Sequence, residues 1–246
     1  MTLKSFIRHA VLLPCSKLYG AAVCVRNKMF DWKILRQHSF DVPIIVVGNI
    51  AAGGTGKTPH VEYILSALRS SSHIAFLSRG YKRRTKGFVM ATSHSTPRDI
   101  GDEAYQIYRK FGGDVAVAVC EDRVHGIREL LSIDPAINMI VLDDAFQHRY
   151  VKPTVAVVVT EYNRPVFDDS MLPYGRLRES PRAINRADIV VVSKCPQRLK
   201  PMDYRIFSNN INLFPYQTLF FSRYAYQPLR PLFPDAVSRI PYLDWL

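Results

Sequence analysis

The stretch "VGNIAAGGTGKTPH", from Val47 to His60, decides how this chain is read. It closes on the Gly56-Lys57-Thr58 of the phosphate-loop pattern G-x-x-x-x-G-K-[ST], with Ala51 standing where the first glycine belongs. In such a loop the glycines let backbone N–H groups converge on phosphate oxygens. The lysine neutralises the β- and γ-phosphates, and the hydroxyl residue holds Mg²⁺. Gly53, Gly54, Thr55, Gly56, Lys57 and Thr58 supply these parts. Upstream, the apolar run "VPIIVVGN" from Val42 predicts a buried strand. Downstream, Thr58-Pro59 opens a helix in which Val61, Ile64, Leu65 and Leu68 fall at helical spacing. A chance glycine-rich turn is the competing reading, and the flanking strand and helix weigh against it.

Working outward, short apolar, β-branched runs recur at His73–Ser78, Val115–Val119, Asn138–Asp144, Thr154–Thr160 and Ala187–Lys194. Strands of this kind suit a parallel sheet covered on both faces. The fold class expected is therefore α/β, a P-loop NTPase-like core with a mainly parallel sheet flanked by helices. After Lys194 the texture turns to proline and aromatic residues, and Thr218–Tyr226 reads as a strand leading into a smaller C-terminal lobe. The expected organisation is an amphipathic membrane-associated segment over 1–40, the kinase-like core over 41–200, and the start of an incomplete C-terminal lobe over 201–246.

The formal net charge of +12 predicts attraction to something anionic. Its densest cluster is "SRGYKRRTKG", and no nucleic-acid motif accompanies it, so no nucleic-acid partner is expected. Cys15, Cys24, Cys120 and Cys195 show no metal-binding spacing and read as reduced thiols in a cytosolic setting. No run approaches the roughly 18 apolar residues of a membrane span. The first 25 residues are apolar but interrupted by Lys17, which argues against a signal peptide. They fit either an interfacial amphipathic segment or a helix packed on the protein body.

A phosphate-loop enzyme needs an acidic residue at the end of a buried strand to organise Mg²⁺, and "MIVLDD" ends in Asp143 and Asp144. Without the upstream loop the same pair would read as a solvated turn. Asp102 and Glu103 of "GDEAYQ" open a helix, where spacing alone makes them caps. "SKCP" after a late strand lacks the aspartate with which GTP-binding relatives read guanine, so ATP is the expected nucleotide.

With these residues placed, the chain resembles the tetraacyldisaccharide 4′-kinase family, the lipid A 4′-kinases of Gram-negative bacteria. The motifs that carry the resemblance are "VPIIVVGNIAAGGTGKTP", "LSRGYKRRTKGF", "GDEAYQI", "VLDDAFQHR", "LPYGRLRES" and "ADIVVVSK". A phosphate loop without the earlier glycine is itself similar to that family. The resemblance implies a peripheral protein on the cytoplasmic face of the inner membrane. It also implies transfer of phosphate from MgATP to the 4′-hydroxyl of a tetraacylated disaccharide 1-phosphate, at an anionic membrane surface and without an obligate protein partner. It further implies that Lys57 contacts the β- and γ-phosphates, that Thr58 binds Mg²⁺, and that Asp144 with Asp143 organises the metal. Asp102 would be the general base with Glu103 in support, and Arg123, His148, Arg178 and Glu179 would be active-site positions. Arg79 and its basic neighbours would face the anionic lipid or nucleotide, with surface salt bridges as the plain alternative.

The family pairs the catalytic aspartate with a histidine from the C-terminal portion, and this sequence has no histidine after His148. Its members are typically longer, so the C-terminal part is expected to be missing. Two alternatives stand beside the kinase: a membrane-associated P-loop ATPase switch, and a remnant that binds nucleotide or lipid without turnover.

Overall fold

A computed structural model describes residues 8–225. A π-helical turn, Arg8–Leu12, leads into helix α1, Leu13–Asp31. There follow β1 (Ile44–Gly48), α2 (Lys57–Leu68), β2 (Ile74–Ser78), β3 (Val89–Met90), α3 (Pro97–Ile100), α4 (Asp102–Phe111), β4 (Val115–Val119), α5 (Arg123–Ile133) and β5 (Met139–Asp143). The chain continues through β6 (Val155–Glu161), β7 (Ile189–Ser193), α6 (Pro201–Ile211) and β8 (Thr218–Phe221).

The strands form one eight-stranded sheet in the order β3-β4-β2-β5-β1-β6-β7-β8. Every neighbouring pair is parallel except β3 with β4. The predicted runs became strands because alternate side chains enter different cores. Val46, Leu77, Leu142, Val158 and Val192 lie in one core; Val47, Phe76, Val141, Val157 and Val191 lie in the other. Helices α2 and α4 cover the second face through Val61, Leu65, Ala104, Ile107 and Phe111. Helices α5 and α6 cover the first through Val124, Ile127, Leu130, Phe207 and Ile211. Burial on both faces explains runs that are apolar throughout, where a one-sided sheet would alternate.

The boundary expected at residue 201 does not separate a lobe. Helix α6 packs Phe207 and Ile211 into the same core, and β8 pairs with β7 from Ile189↔Thr218 to Val192↔Phe221. The proline- and aromatic-rich texture there reflects an edge of the sheet, with Phe207 between Phe167 and Phe221. The rest of the expected lobe lies outside the described residues.

At the other end of the chain, α1 is docked by one face. Ser16 Oγ donates to Met171 O at 2.7 Å, Tyr19 Oη to Arg178 O at 3.0 Å, and an Arg26 nitrogen to Gln147 O at 2.6 Å. Phe30 is buried edge-on against Tyr150. The opposite face exposes Val11, Leu18 and Val25, one residue in every seven, and Trp32 and Ile34 follow. The inner face of this helix thus packs on the body, as one of the two readings of the segment expects, and its outer stripe is apolar. Among the described residues no helix is long and apolar enough to cross a membrane.

Candidate active site

In a parallel sheet the loops leaving the carboxyl ends of the strands gather on one edge, where ligands bind. Here that edge carries a cleft of roughly 1050 Å³. The loop after β1 supplies Gly53 to Lys57, and the end of β2 supplies Ser78 and Arg79. The segments after β4 and β5 supply Glu121, Arg123, Asp143, Asp144 and His148. Thr58, Glu103, Arg178 and Glu179 also line it.

The loop after β1 is anchored rather than floppy. Thr55 is buried, with Oγ1 accepting from Asn49 Nδ2 at 2.8 Å, while Asn49 O accepts from Gln147 Nε2 at 2.6 Å. Gly56 caps α2 at φ 88° and ψ 23°. A Cβ there would lie 2.6 Å from Tyr224 Oη, so both backbone and space demand glycine. The replacement of the first pattern glycine by alanine is also accommodated: Ala51 is buried in the core and bridges to Leu177.

The two aspartates predicted as one acidic pair have different environments. Asp144 accepts from Arg178 Nη1 at 3.1 and 3.2 Å, and Lys57 Nζ lies 3.4 Å from its Oδ1. Burial works to raise its pKa, but Lys57 and Arg178 outweigh that and hold it below the usual value. Asp143, 2% exposed, accepts from the Asp144 N–H and makes no ion pair among the described residues, with Lys57 acting on it only from a distance. Burial, then the charges of Glu103 and Asp144, push it up to about 7. Asp143 is therefore the less compensated of the two carboxylates.

That imbalance fits a divalent cation. No group of three or more His, Cys, Asp or Glu side chains could hold a metal among the described residues. Mg²⁺ seldom needs such a cage: one or two carboxylates, waters and substrate phosphates are its usual shell. Thr58 and Asp143, which both line the cleft, are the residues that fit it.

The remaining wall is basic. Arg123 is 4% exposed, with Nη1 donating to Glu121 O at 2.9 Å and Cys120 O at 3.4 Å; among the described residues no carboxylate forms an ion pair with it, and Asp144 and Asp143 act on it only from a distance. Burial, then the neighbouring Arg79, depress its pKa. Burial and Arg123 bring His148 down to about 4, so its imidazole is neutral at pH 7; its Nε2 is buried without a protein partner. A buried guanidinium without a counter-charge is a ready partner for an anion.

Glu179 is bound into a different network. Its Oε2 accepts from Arg186 and, at 3.3 Å, from Asn27 Nδ2 of α1. Of the two helix-opening carboxylates, Glu103 lines the cleft, whereas Asp102 is exposed and does not. The general base expected at Asp102 thus sits beside, not within, the lining. Gly101, at φ 83° and ψ 159°, sets this turn; a Cβ there would lie 2.7 Å from Tyr81 O.

Sequence reasoning missed the cleft residues Tyr19, Val23 and Arg26 of α1, and Tyr224 beyond β8. None carries a local motif. Only the docking of α1 and the addition of β8 to the sheet bring them to this edge.

Comparison with known proteins agrees with the geometry. The family model for tetraacyldisaccharide-1-P 4′-kinase matches residues 8–224. The tetraacyldisaccharide 4′-kinase of Bacteroides thetaiotaomicron is 56% identical over 233 residues, covering 94% of this chain and 61% of that protein. The enzyme of the same name from Porphyromonas gingivalis ATCC 33277 is 51% identical over 227 residues, covering 91% and 63%. The chain spans about three fifths of the length of these curated relatives. The crystal structure of LpxK from Aquifex aeolicus in complex with ATP superposes with a TM-score of 0.70 at 26% identity, covering 92% of this chain and 85% of that one. From α1 through β8, the match runs through every element that builds the cleft, and the chain belongs to the tetraacyldisaccharide-1-P 4′-kinase family.

Proposed function

We propose that this protein transfers the γ-phosphoryl group of ATP to the 4′-hydroxyl of a tetraacylated disaccharide 1-phosphate, a step of lipid A synthesis at the cytoplasmic face of the inner membrane. The observation that carries this reading is the pairing of Lys57 with Asp144 beside a buried, weakly compensated Asp143, at the mouth of a glycine-rich loop. Phosphoryl transfer asks the protein mainly for positioning and charge stabilisation. Lys57, held by Asp144 when no nucleotide is bound, is the group the β- and γ-phosphates would draw across. Arg178, which also binds Asp144, and the cleft-lining Arg123 and Arg79 supply positive charge for phosphate oxygens. Bound at Thr58 and Asp143, Mg²⁺ would neutralise charge on the transferring phosphates.

On the acceptor side, Asp102 is proposed as the general base, with Glu103, His148 and Glu179 shaping the approach of the sugar. Helix α1 supports a lipid acceptor. Its inner face contributes Tyr19, Val23 and Arg26 to the cleft, and its outer face shows Leu18 (72% exposed) and Val25 (59%) beside exposed Lys17 and Lys28. An apolar stripe flanked by lysines suits an anionic bilayer surface. Membrane and active site would then share one helix. Residues 1–40 are accordingly proposed as the membrane-contacting element.

Incubation of the chain with γ-labelled ATP and tetraacyldisaccharide 1-phosphate tests the proposal. Labelled lipid, abolished by Lys57→Ala, is the expected result. Free phosphate without labelled lipid would indicate an ATPase switch, and neither product would indicate a binding remnant; both overturn the kinase reading.

A further inference from the structure

Two consecutive carbonyls of the phosphate loop are held by side chains that do not line the cleft. Ser193 Oγ donates to Thr55 O at 2.6 Å, and Nδ1 of His60 lies 2.7 Å from Gly56 O. A carbonyl can only accept, so Nδ1 carries a proton. One helical turn separates Gly56 from His60, which brings the ring back beside the loop. The other ring nitrogen, Nε2, lies 2.8 Å from Ser222 Oγ. Ser222 is itself fixed: its N–H donates to Val192 O at 2.8 Å and its carbonyl accepts from the Cys195 N–H at 2.9 Å. A continuous chain of contacts therefore runs from the end of β7, through Ser222 and His60, to Gly56.

The consequence follows from the geometry of the peptide unit. In a trans peptide the C=O of one residue and the N–H of the next point in opposite directions. Turning the Gly56 carbonyl onto His60 aims the Lys57 N–H the other way. Ser193 does the same for the Gly56 N–H through the Thr55 carbonyl. Gly56 and Lys57 both line the cleft, whereas His60, Ser193 and Ser222 do not. Glycine at φ 88° places little steric restraint on its own peptide planes. A flipped Gly56–Lys57 unit would offer a carbonyl oxygen, not a donor, to an anion.

We propose that His60, tethered by Ser222, is a positioning residue that locks the Gly56–Lys57 peptide so that the Lys57 N–H faces the phosphates of a bound nucleoside triphosphate. The proposal rests on the nucleotide reading above and goes beyond it by assigning a role to two side chains outside the cleft. It makes the end of β7 and the residues after β8 part of the nucleotide site's scaffold.

The test measures MgATP affinity of the whole chain by calorimetry and, without nucleotide, amide exchange over residues 54–57 together with the urea unfolding midpoint. His60→Ala is expected to weaken MgATP about 3- to 10-fold, the effect of one net hydrogen bond. Exchange in the loop should quicken while the midpoint stays put. His60→Asn, whose amide nitrogen reaches the place of Nδ1, should recover most of the affinity. Ser222→Ala should weaken binding in the wild-type background and add little to His60→Ala, because the two act through one contact chain. Unchanged affinity and exchange in His60→Ala, an equal loss in His60→Asn, or additive losses would overturn the brace while leaving nucleotide binding intact. A wild-type chain that binds no MgATP would remove the nucleotide reading and the brace with it.

Discussion

Replacing Glu179 by methionine is expected to be among the most damaging single changes in the chain, although the side-chain volume barely alters. Glu179 is 1% exposed, and its Oε2 accepts from both Arg186 and Asn27. The Arg186 guanidinium lies 4.6 Å from the Phe146 ring centroid, and burial depresses its pKa against the opposing pull of Glu179. Glu179→Met leaves that guanidinium, its side chain only a quarter exposed, without its partner, which costs up to about 3–5 kcal/mol. Losing the Asn27 bond adds about 1 kcal/mol and loosens α1 from the body. With a urea dependence near 3 kcal/mol per molar, the unfolding midpoint should fall by about 1–2 M. Glu179→Met combined with Arg186→Met removes both charges and should recover to within about 1 kcal/mol of wild type, a coupling of roughly 2–4 kcal/mol. Urea unfolding followed by circular dichroism on the two single variants and the double variant measures all three quantities. A single-variant shift below about 0.3 M, or a double variant as unstable as the sum of the singles, would refute the reasoning.

Asp102→Asn should lower kcat by about 10²–10⁴-fold with ATP affinity almost intact; impaired ATP binding at unchanged kcat would move Asp102 to the nucleotide or metal site. Leu18→Gln with Val25→Gln touches only the exposed stripe of α1, so vesicle binding should weaken, more on anionic than on neutral lipid, at an unchanged unfolding midpoint. Co-sedimentation that does not change removes α1 as the membrane contact. His148 stays neutral in the fold down to about 4 while its unfolded value is 6.5, so the unfolded chain binds the extra proton between them. Its contribution is fully present above pH 6.5 and is lost as pH falls towards 4, about 2 kcal/mol once partial exposure is discounted; His148→Gln should remove that slope. Asp143 has the opposite sign. Its folded value of about 7 lies above 3.8, so in EDTA its protonated form favours the fold at low pH and that favour fades as pH rises to 7, by about 4 kcal/mol. Asp143→Asn should therefore stabilise the metal-free chain at pH 8 relative to pH 5, and unfolding curves of equal offset at both would contradict it. The two slopes overlap in wild type, so each is read from its own variant.

Sequence by itself determined the parts of this protein whose physics is local. A β-branched run buried on both faces, a glycine loop and a proline-opened helix specify strand, turn and helix wherever the chain goes, and they were legible at Ile44–Gly48, Gly53–Gly56 and Lys57–Leu68. The two adjacent aspartates were legible as a strand end for the same reason. Their division of labour was not: Asp144 is occupied because Lys57 and Arg178, far away in the chain, converge on it, while on Asp143 burial and the charges of Glu103 and Asp144 outweigh the pull of Lys57. Helix α1 could be read as interfacial or as packed, and only its partners show that one face packs on the body, since Ser16 meets Met171 and Asn27 meets Glu179 across some 150 residues of sequence. The aromatic texture after Lys194 suggested a new lobe because edge strands and lobe starts look alike in composition; pairing of β8 with β7 settled that it closes this sheet. Nothing in the sequence marks His60 beyond its place in the helix after the loop, and its contact with Ser222 exists only because β8 brings that residue to its far side. Backbone preference is written in neighbouring residues, but which charge meets which, and which ring meets which carbonyl, depends on the topology that brings distant segments to one edge of a parallel sheet.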